Sequence, residues 1–173
     1  VDSAGSLDAP LVVMDTAPAA VLGALLDSCV KGRPRRMVIN IGNFHALAFR
    51  LGPGGIEGVF EHHTGLLTQP RLEAYLRAFA DGSLVHQAVV AERGHGALVL
   101  DPAPFPLDSS ATCTVVTGPR RALLHGSSLH PCFAAPFGDM MITGCFGLLQ
   151  AMGDLLPDAS DVIRGSLGAQ AVE

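Results

Sequence analysis

Basic residues are scarce in this sequence. Eleven Lys and Arg stand against sixteen Asp and Glu, and the net charge over 173 residues is −5. That balance argues against nucleic acid or an anionic membrane as a partner, because both recruit proteins through clustered positive charge. Charge of either sign is thin, at 16% of residues against 49% hydrophobic. This is ample for a core and sparse for a fully solvated surface, so some apolar surface is expected to meet another domain or subunit. No apolar run approaches the roughly 20 residues of a membrane span. Val1-Asp2-Ser3 lacks the basic start and apolar stretch of a secretory signal. A cytoplasmic protein without a membrane partner is the expectation. An opening Val in place of Met reads as a processed or excised chain.

Cysteine is also sparse. Cys29, Cys113, Cys132 and Cys145 lie far apart, with neither C-x-x-C nor C-x3-C-x2-C spacing. A zinc ribbon or an iron–sulfur cluster held in one loop is therefore not expected. Buried reduced thiols are.

What is present reads as an α/β chain. Residues 1–10 form a lead-in, and Leu11–Met14 suggest a short strand. Asp15 or Thr16 can cap the next helix, with Pro18 in its first turn. Val21, Leu22, Leu25, Leu26 and Cys29 fall on one face, while Ala19, Ala20, Gly23 and Ala24 keep the helix narrow for close approach to a sheet or neighbouring domain. After the basic turn "KGRPRR", three strands follow at Met37–Ile41, His45–Leu51 and Ile56–His62, the last two joined by "GPGG". "TQPRLEAYLRAFADG" (68–82) is a helix: Leu72, Tyr75, Leu76 and Phe79 recur at helical spacing and Gly82 can end it. Short strands are expected at Ala88–Ala91 and Ala97–Leu100, then a proline-rich loop, then a strand at Cys113–Val116. A helix over 138–156, capped by Asp139, and a weak tail from Pro157 complete the chain. A meander followed by alternating helices and strands indicates a mixed sheet with helices packed on it.

Four stretches carry candidate chemistry. In "VINIGNFHALAF" (38–49) polar and flexible residues interrupt two strands. Such a turn can expose consecutive backbone N–H groups to an anion, with Gly42 allowing close approach and Asn40 placed to orient a phosphate oxygen or a metal-bound water. The same residues also suit an ordinary hairpin turn. In "VTGPRR" (116–121) a buried strand ends in a sharp turn, where open α/β sheets bind ligands, and Arg120 and Arg121 suit phosphate or a base. "FEHHTG" (60–65) and "RGHGA" (93–97) bring Glu61, His62, His63 and His95. On a strand His62 faces away from Glu61 and His63. A metal site from His45, His63 and His95 is one reading, and hydrogen-bonded structural histidines are the other. "PFGDMM" (136–141) puts Gly138 and Asp139 at a helix start, where free N–H groups attract an anion unless Asp139 itself takes them.

Taken together, these pieces resemble the second domain of the actin-like ATPase and sugar-kinase superfamily. The resemblance implies a ribonuclease-H-like mixed sheet over residues 11–156, with 157–173 as a tail. It implies that Asn40-Ile41-Gly42-Asn43-Phe44-His45 is the second phosphate motif and Thr117-Gly118-Pro119-Arg120 the adenosine motif. It also makes "DTAPAAVLGAL" the connecting helix whose small residues face an interdomain cleft. "NIGNFHALAF", "FEHHTG", "GHGA", "VTGPRR" and "PFGDMMITGCFGL" look more closely like a prokaryotic family inside that superfamily, whose members often carry the label pyruvate formate-lyase activating enzyme. That similarity runs over about residues 11–155.

Two departures stand out. The superfamily usually has Asp where this chain has Asn40, and an amide gives no charge to magnesium. The first phosphate loop, an Asp-x-Gly turn, is absent, and Asp15-Thr16-Ala17 lacks the glycine. The resemblance thus implies the carboxyl-terminal half of a longer protein, with a missing N-terminal domain as partner. The activating-enzyme label conflicts with the cysteine spacing, since radical activation needs three cysteines on an iron–sulfur cluster. The first expectation is a nucleotide- or phosphate-binding domain, with ATP and Mg as cofactors and no iron–sulfur cluster. In it Asn40, Gly42, Asn43 and His45 hold phosphate, and Thr117, Gly118 and Arg120 border adenosine. Glu61, His62, His63, His95, Gly138 and Asp139 line the cleft. The alternatives are a metal-dependent hydrolase-like site from Glu61 and the histidines, and a non-catalytic dimerisation or docking domain, including a homodimer.

Overall fold

Alternating burial organises the first three strands. In the computed structural model, which describes residues 10–169, β1 (Arg35–Ile41), β2 (His45–Gly52) and β3 (Gly55–His63) form an antiparallel meander. Met37, Ile39 and Ile41 point to one face, and Val38 to the other. Two more strands flank β1 in the same direction: β5 (Thr112–Thr117) pairs with it in parallel, and β6 (Cys132–Phe133) pairs in parallel with β5. β4 (Gly96–Val99) pairs antiparallel with β3 at the opposite edge. The six-stranded order is β4-β3-β2-β1-β5-β6. This is the mixed α/β sheet expected from the sequence.

The larger core lies on the face where Ile39, Phe60 and Val116 meet Leu72, Leu76 and Phe79 of α2 (Gln69–Asp81). Those three α2 residues share one helical stripe, Pro70 lies in the first turn, and Gly82 ends the helix at φ +83°. Buried Arg50 crosses this layer. Its Nη1 donates to the Phe79 carbonyl at 2.9 Å, and its Nη2 donates to the carbonyls of Ala103 at 2.6 Å and Asp101 at 3.2 Å.

On the other face α1 (Thr16–Ala24) covers β1 and β5, packing Val21 and Ala24 on Val38 and Val115. Asp15 caps it, with Oδ1 accepting from the Ala17 amide. Of its small residues Ala24 packs on the sheet, while Ala19, Ala20 and Gly23 face away from it. That part is occupied by α4 (Thr143–Leu155), which crosses so closely that a Cβ on Gly23 would fall on the Thr143 carbonyl and one on Gly147 on the Ala19 carbonyl. Thus the narrow surface is used inside the chain.

Several sequence expectations are corrected. Leu11–Met14 is not a strand; Leu11 and Val13 are exposed, and among the described residues they pair with no strand. Residues 86–91 are a short helix, α3 (His86–Ala91), with Val89 buried at full depth and its neighbours exposed, a helical and not an alternating pattern. α4 begins at Thr143, not at 138, because Pro136–Gly138 is a 3-10 turn with Phe137 and Gly138 at positive φ. Asp139 therefore does not cap α4; its Oδ1 accepts from the Met141 amide. The tail forms α5 (Pro157–Ala169), which packs Ile163 against Gly153. Cys29 and Cys132 are joined in a disulfide, while Cys113 is half-buried and Cys145 exposed. The expectation of four buried thiols thus fails: the chain turns after α1, and Asp27 holds that turn to the segment just after β6 by accepting from the Ala135 amide at 2.8 Å.

Candidate functional site

β1 and β5 run side by side in one direction, so their carboxyl ends share an edge. Asn40 and Thr117 are register partners there. The turns that follow pack on each other: the Arg120 amide donates to the Ile41 carbonyl at 2.9 Å, and Gly118, at φ +99°, lies over Asn40 and Ile41. Open α/β sheets bind ligands at such an edge.

Two depressions meet at this point. One, of about 600 Å³, is lined by Asn40, Gly42, Asn43, His45, Glu61 and the start of α1, over a floor of Leu47 and Phe49. The other, of about 180 Å³, is lined by Thr117, Gly118, Pro119, Met140 and Met141. Thr16 and Asn40 belong to both. Thr117 is 1% exposed, and among the described residues its Oγ1 has no hydrogen-bond partner. A buried hydroxyl left in that state beside a depression favours an external partner.

The 42–45 turn is tighter than an open anion cradle. The Gly42 amide donates to the His45 carbonyl at 2.9 Å, so it is occupied within the turn. None of residues 42–44 has positive φ. Thr64, which the sequence reading passed over, holds the turn twice: its hydroxyl donates to the Gly42 carbonyl at 2.9 Å and its amide to the Phe44 carbonyl at 2.7 Å. Among the described residues the Asn43 and Phe44 amides have no backbone partner, and Phe44 is 81% exposed.

His45, His63 and His95 converge. His45 and His63 are register partners on β2 and β3. His95 reaches them from the turn after α3, its amide donating to the Glu61 carbonyl at 3.1 Å. Ring centroids are separated by 5.2 Å for His45–His63, 4.8 Å for His45–His95 and 4.5 Å for His63–His95. Glu61 Oε1 lies 3.5 Å from His45 Nδ1.

Other candidates fall elsewhere. His62 does not line the cleft. Strand alternation turns it to the opposite face, fully buried against Tyr75, and burial holds its pKa below the usual histidine range. Arg120 is exposed on its turn, and Arg121 donates to the Ala134 carbonyl at 2.7 Å. Gly138 and Asp139 are exposed on a segment whose Met140 and Met141 line the smaller depression. His86 was also missed; it neighbours His95 and Glu61, with its ring over Gly96. Nothing local in "LVHQAVV" marks it.

Among the described residues, which hold all four cysteines, no three thiols converge; Cys29 and Cys132 gather only with Asp27. The donor set of a three-cysteine iron–sulfur cluster does not fit this chain.

A protein-family model described as "Putative pyruvate format-lyase activating enzyme (DUF1786)" matches residues 2–123. It covers the meander, the histidines and the Thr117–Arg120 turn, and stops short of α4. No curated protein and no solved structure matches the chain.

Proposed function

The chain belongs to the DUF1786 family, and from that membership and the paired turns we propose that it is a nucleotide- or phosphate-binding domain forming one wall of an actin-like ATPase or small-molecule-kinase cleft. The observation that carries this reading is the Asn40–Thr117 register pair, from which both turns leave one sheet edge. In this reading Asn40 and the Asn43 and Phe44 amides meet phosphate. Thr117, Gly118 and Arg120 border the adenosine, with the Thr117 hydroxyl donating to it. The strand order, a meander extended by parallel strands on the β1 side, is compatible with a ribonuclease-H-like domain of that superfamily.

The domain is incomplete as a catalyst. Phosphoryl transfer depends on groups that position both attacking and leaving oxygens. Here the phosphate wall offers amides and a neutral Asn40, while the acidic loop that would hold magnesium belongs to a second domain. A single exposed anion site contributes on the order of 1–2 kcal/mol, so nucleotide binding is weak, with a Kd of about 1 mM or above.

The test is amide NMR of the full chain titrated with ATP and Mg2+, followed by a phosphate-release assay. Saturable shifts at Asn43, Phe44 and residues 117–120 without turnover are expected. No shift at either turn removes the nucleotide reading. Steady hydrolysis abolished by Asn40→Ala removes the half-site reading, because the domain would then be a complete enzyme.

A further inference from the structure

The three converging histidines have a separate chemistry. We propose that His45, His63 and His95 bind one divalent transition cation of the zinc class, with a fourth coordination position open to the larger depression for water or an oxyanion. The inference is independent of the nucleotide reading, since neither its ligands nor its test involves a nucleotide.

Three segments supply the ligands, and each is fixed by backbone structure. Register pairing puts His45 and His63 side by side on one sheet face. His95 is delivered by the α3–β4 turn: Arg93 has φ +67°, the Gly94 amide donates to the Val89 carbonyl at 2.9 Å, and the His95 amide joins β3 at Glu61. One ring nitrogen from each histidine lies within 4.8 Å of the others. Zinc–imidazole bonds of about 2.0–2.1 Å put ligand nitrogens about 3.4 Å apart in a tetrahedral site. Small side-chain rotations close that difference, because His45 and His63 are partly exposed and His95 is exposed.

The rings have little else to bind. Among the described residues no hydrogen bond occupies a ring nitrogen of His63 or His95, and His45 has only Glu61 near its Nδ1. A carboxylate hydrogen-bonded to one ring nitrogen orients a histidine that ligates through the other, and Glu61 Oε1, 3.5 Å from Nδ1, is one small rotation from that role. Imidazole donors select Zn2+, Co2+ or Ni2+ over Mg2+ or Ca2+. Three protein ligands with one open position is the arrangement of a reactive site, whereas structural zinc sites are closed by four. His45 and Glu61 line the larger depression with Asn40 and Asn43, which places that depression beside the proposed site.

The experiment uses the full chain with its disulfide intact. Zn2+ is titrated by calorimetry, and Co2+ by its visible ligand-field absorption. One site per chain is expected, with an intense tetrahedral Co2+ spectrum that changes on addition of inorganic phosphate. His95→Ala, at an exposed position, and His63→Ala each weaken Zn2+ binding at least tenfold, and Glu61→Gln by about tenfold. His125→Ala, at the other sheet edge against Phe133, leaves it unchanged. Circular dichroism checks that each variant folds. Unaltered Zn2+ affinity in a folded His95→Ala chain, or a sulfur-to-cobalt charge-transfer band, overturns the three-histidine site. A Co2+ spectrum indifferent to phosphate overturns the open position.

Discussion

A Cβ on Gly118 would lie 2.6 Å from Asn40 Oδ1 and 2.5 Å from the Ile41 carbonyl oxygen. The 117–120 turn can therefore sit against the 40–45 turn only while residue 118 has no side chain. Gly118 also occupies the left-handed region, at φ +99°.

Gly118→Ala should destabilise the protein by about 2–4 kcal/mol, combining backbone strain with a clash against backbone atoms. Gly126, at φ +71° with nothing near its would-be Cβ, provides the comparison. Gly126→Ala should cost only about 1–2 kcal/mol, from backbone conformation alone. Thermal denaturation of the two variants checks the difference.

The α1–α4 crossing makes a prediction of opposite sign at two glycines in one helix. Gly147→Ala meets the Ala19 carbonyl and the Gly23 amide and should destabilise by about 1–3 kcal/mol. Gly144→Ala has its nearest neighbours at 3.9 and 4.0 Å, which is ordinary contact. It should be neutral or stabilising by up to about 1 kcal/mol, since alanine restricts the unfolded chain and favours helix. Urea unfolding of both would show the opposed signs.

Arg50→Met should cost about 3–5 kcal/mol. It removes the donor to the Phe79 and Asp101 carbonyls, leaves the Ala103 carbonyl with only the 3.4 Å bond from Arg35, and removes a cation 3.7 Å from Glu57. Burial pulls the Arg50 pKa down while Glu57 pulls it up, and the carbonyls need it as a donor in either case. Arg50→Lys should recover only part of the loss, because one ammonium cannot reach both the end of α2 and the 101–103 loop. Chemical denaturation of the three proteins checks the order.

Acid should loosen α5 before the sheet. Hydrogen bonds from Gln150 and then Arg164 hold the Asp154 carboxyl below its ordinary range. Its folded pKa is below the unfolded one, so its contribution is complete above about pH 4 and is lost as pH falls through the folded value. The side chain is half exposed, so the effect is small. Hydrogen exchange in 157–169 should rise on going from pH 5 to pH 3 more than its intrinsic pH dependence requires, and Asp154→Asn should remove the excess.

Much of the fold was legible because its signals are local. The Asp15 cap, the Leu72-Leu76-Phe79 stripe, the "GPGG" hairpin and the alternation of β1 to β3 each lie within a dozen residues. The misses have non-local causes. β6 is two residues long and exists only because β5 is beside it. α5 owes its docking to Gly153, which leaves room for Ile163. In the site, alternation correctly separated His62 from Glu61 and His63, yet the convergence of His45, His63 and His95 depends on β2–β3 register and on where α3 ends. Thr64 was passed over because its role as a clamp appears only once the Gly42 turn lies opposite it.

The Cys29–Cys132 bond spans 103 positions. It closes a covalent ring that contains β1 to β5 whole, while α1 and α4 leave it on either side and pair with each other. Closing so long a loop removes about 4–5 kcal/mol of freedom from the unfolded chain in the entropic account. The ring also changes what a protease can do. A cut anywhere between the two cysteines, in the proline-rich 101–110 stretch for instance, opens the circle without releasing a fragment, and the two pieces separate only after a reductant breaks the bond.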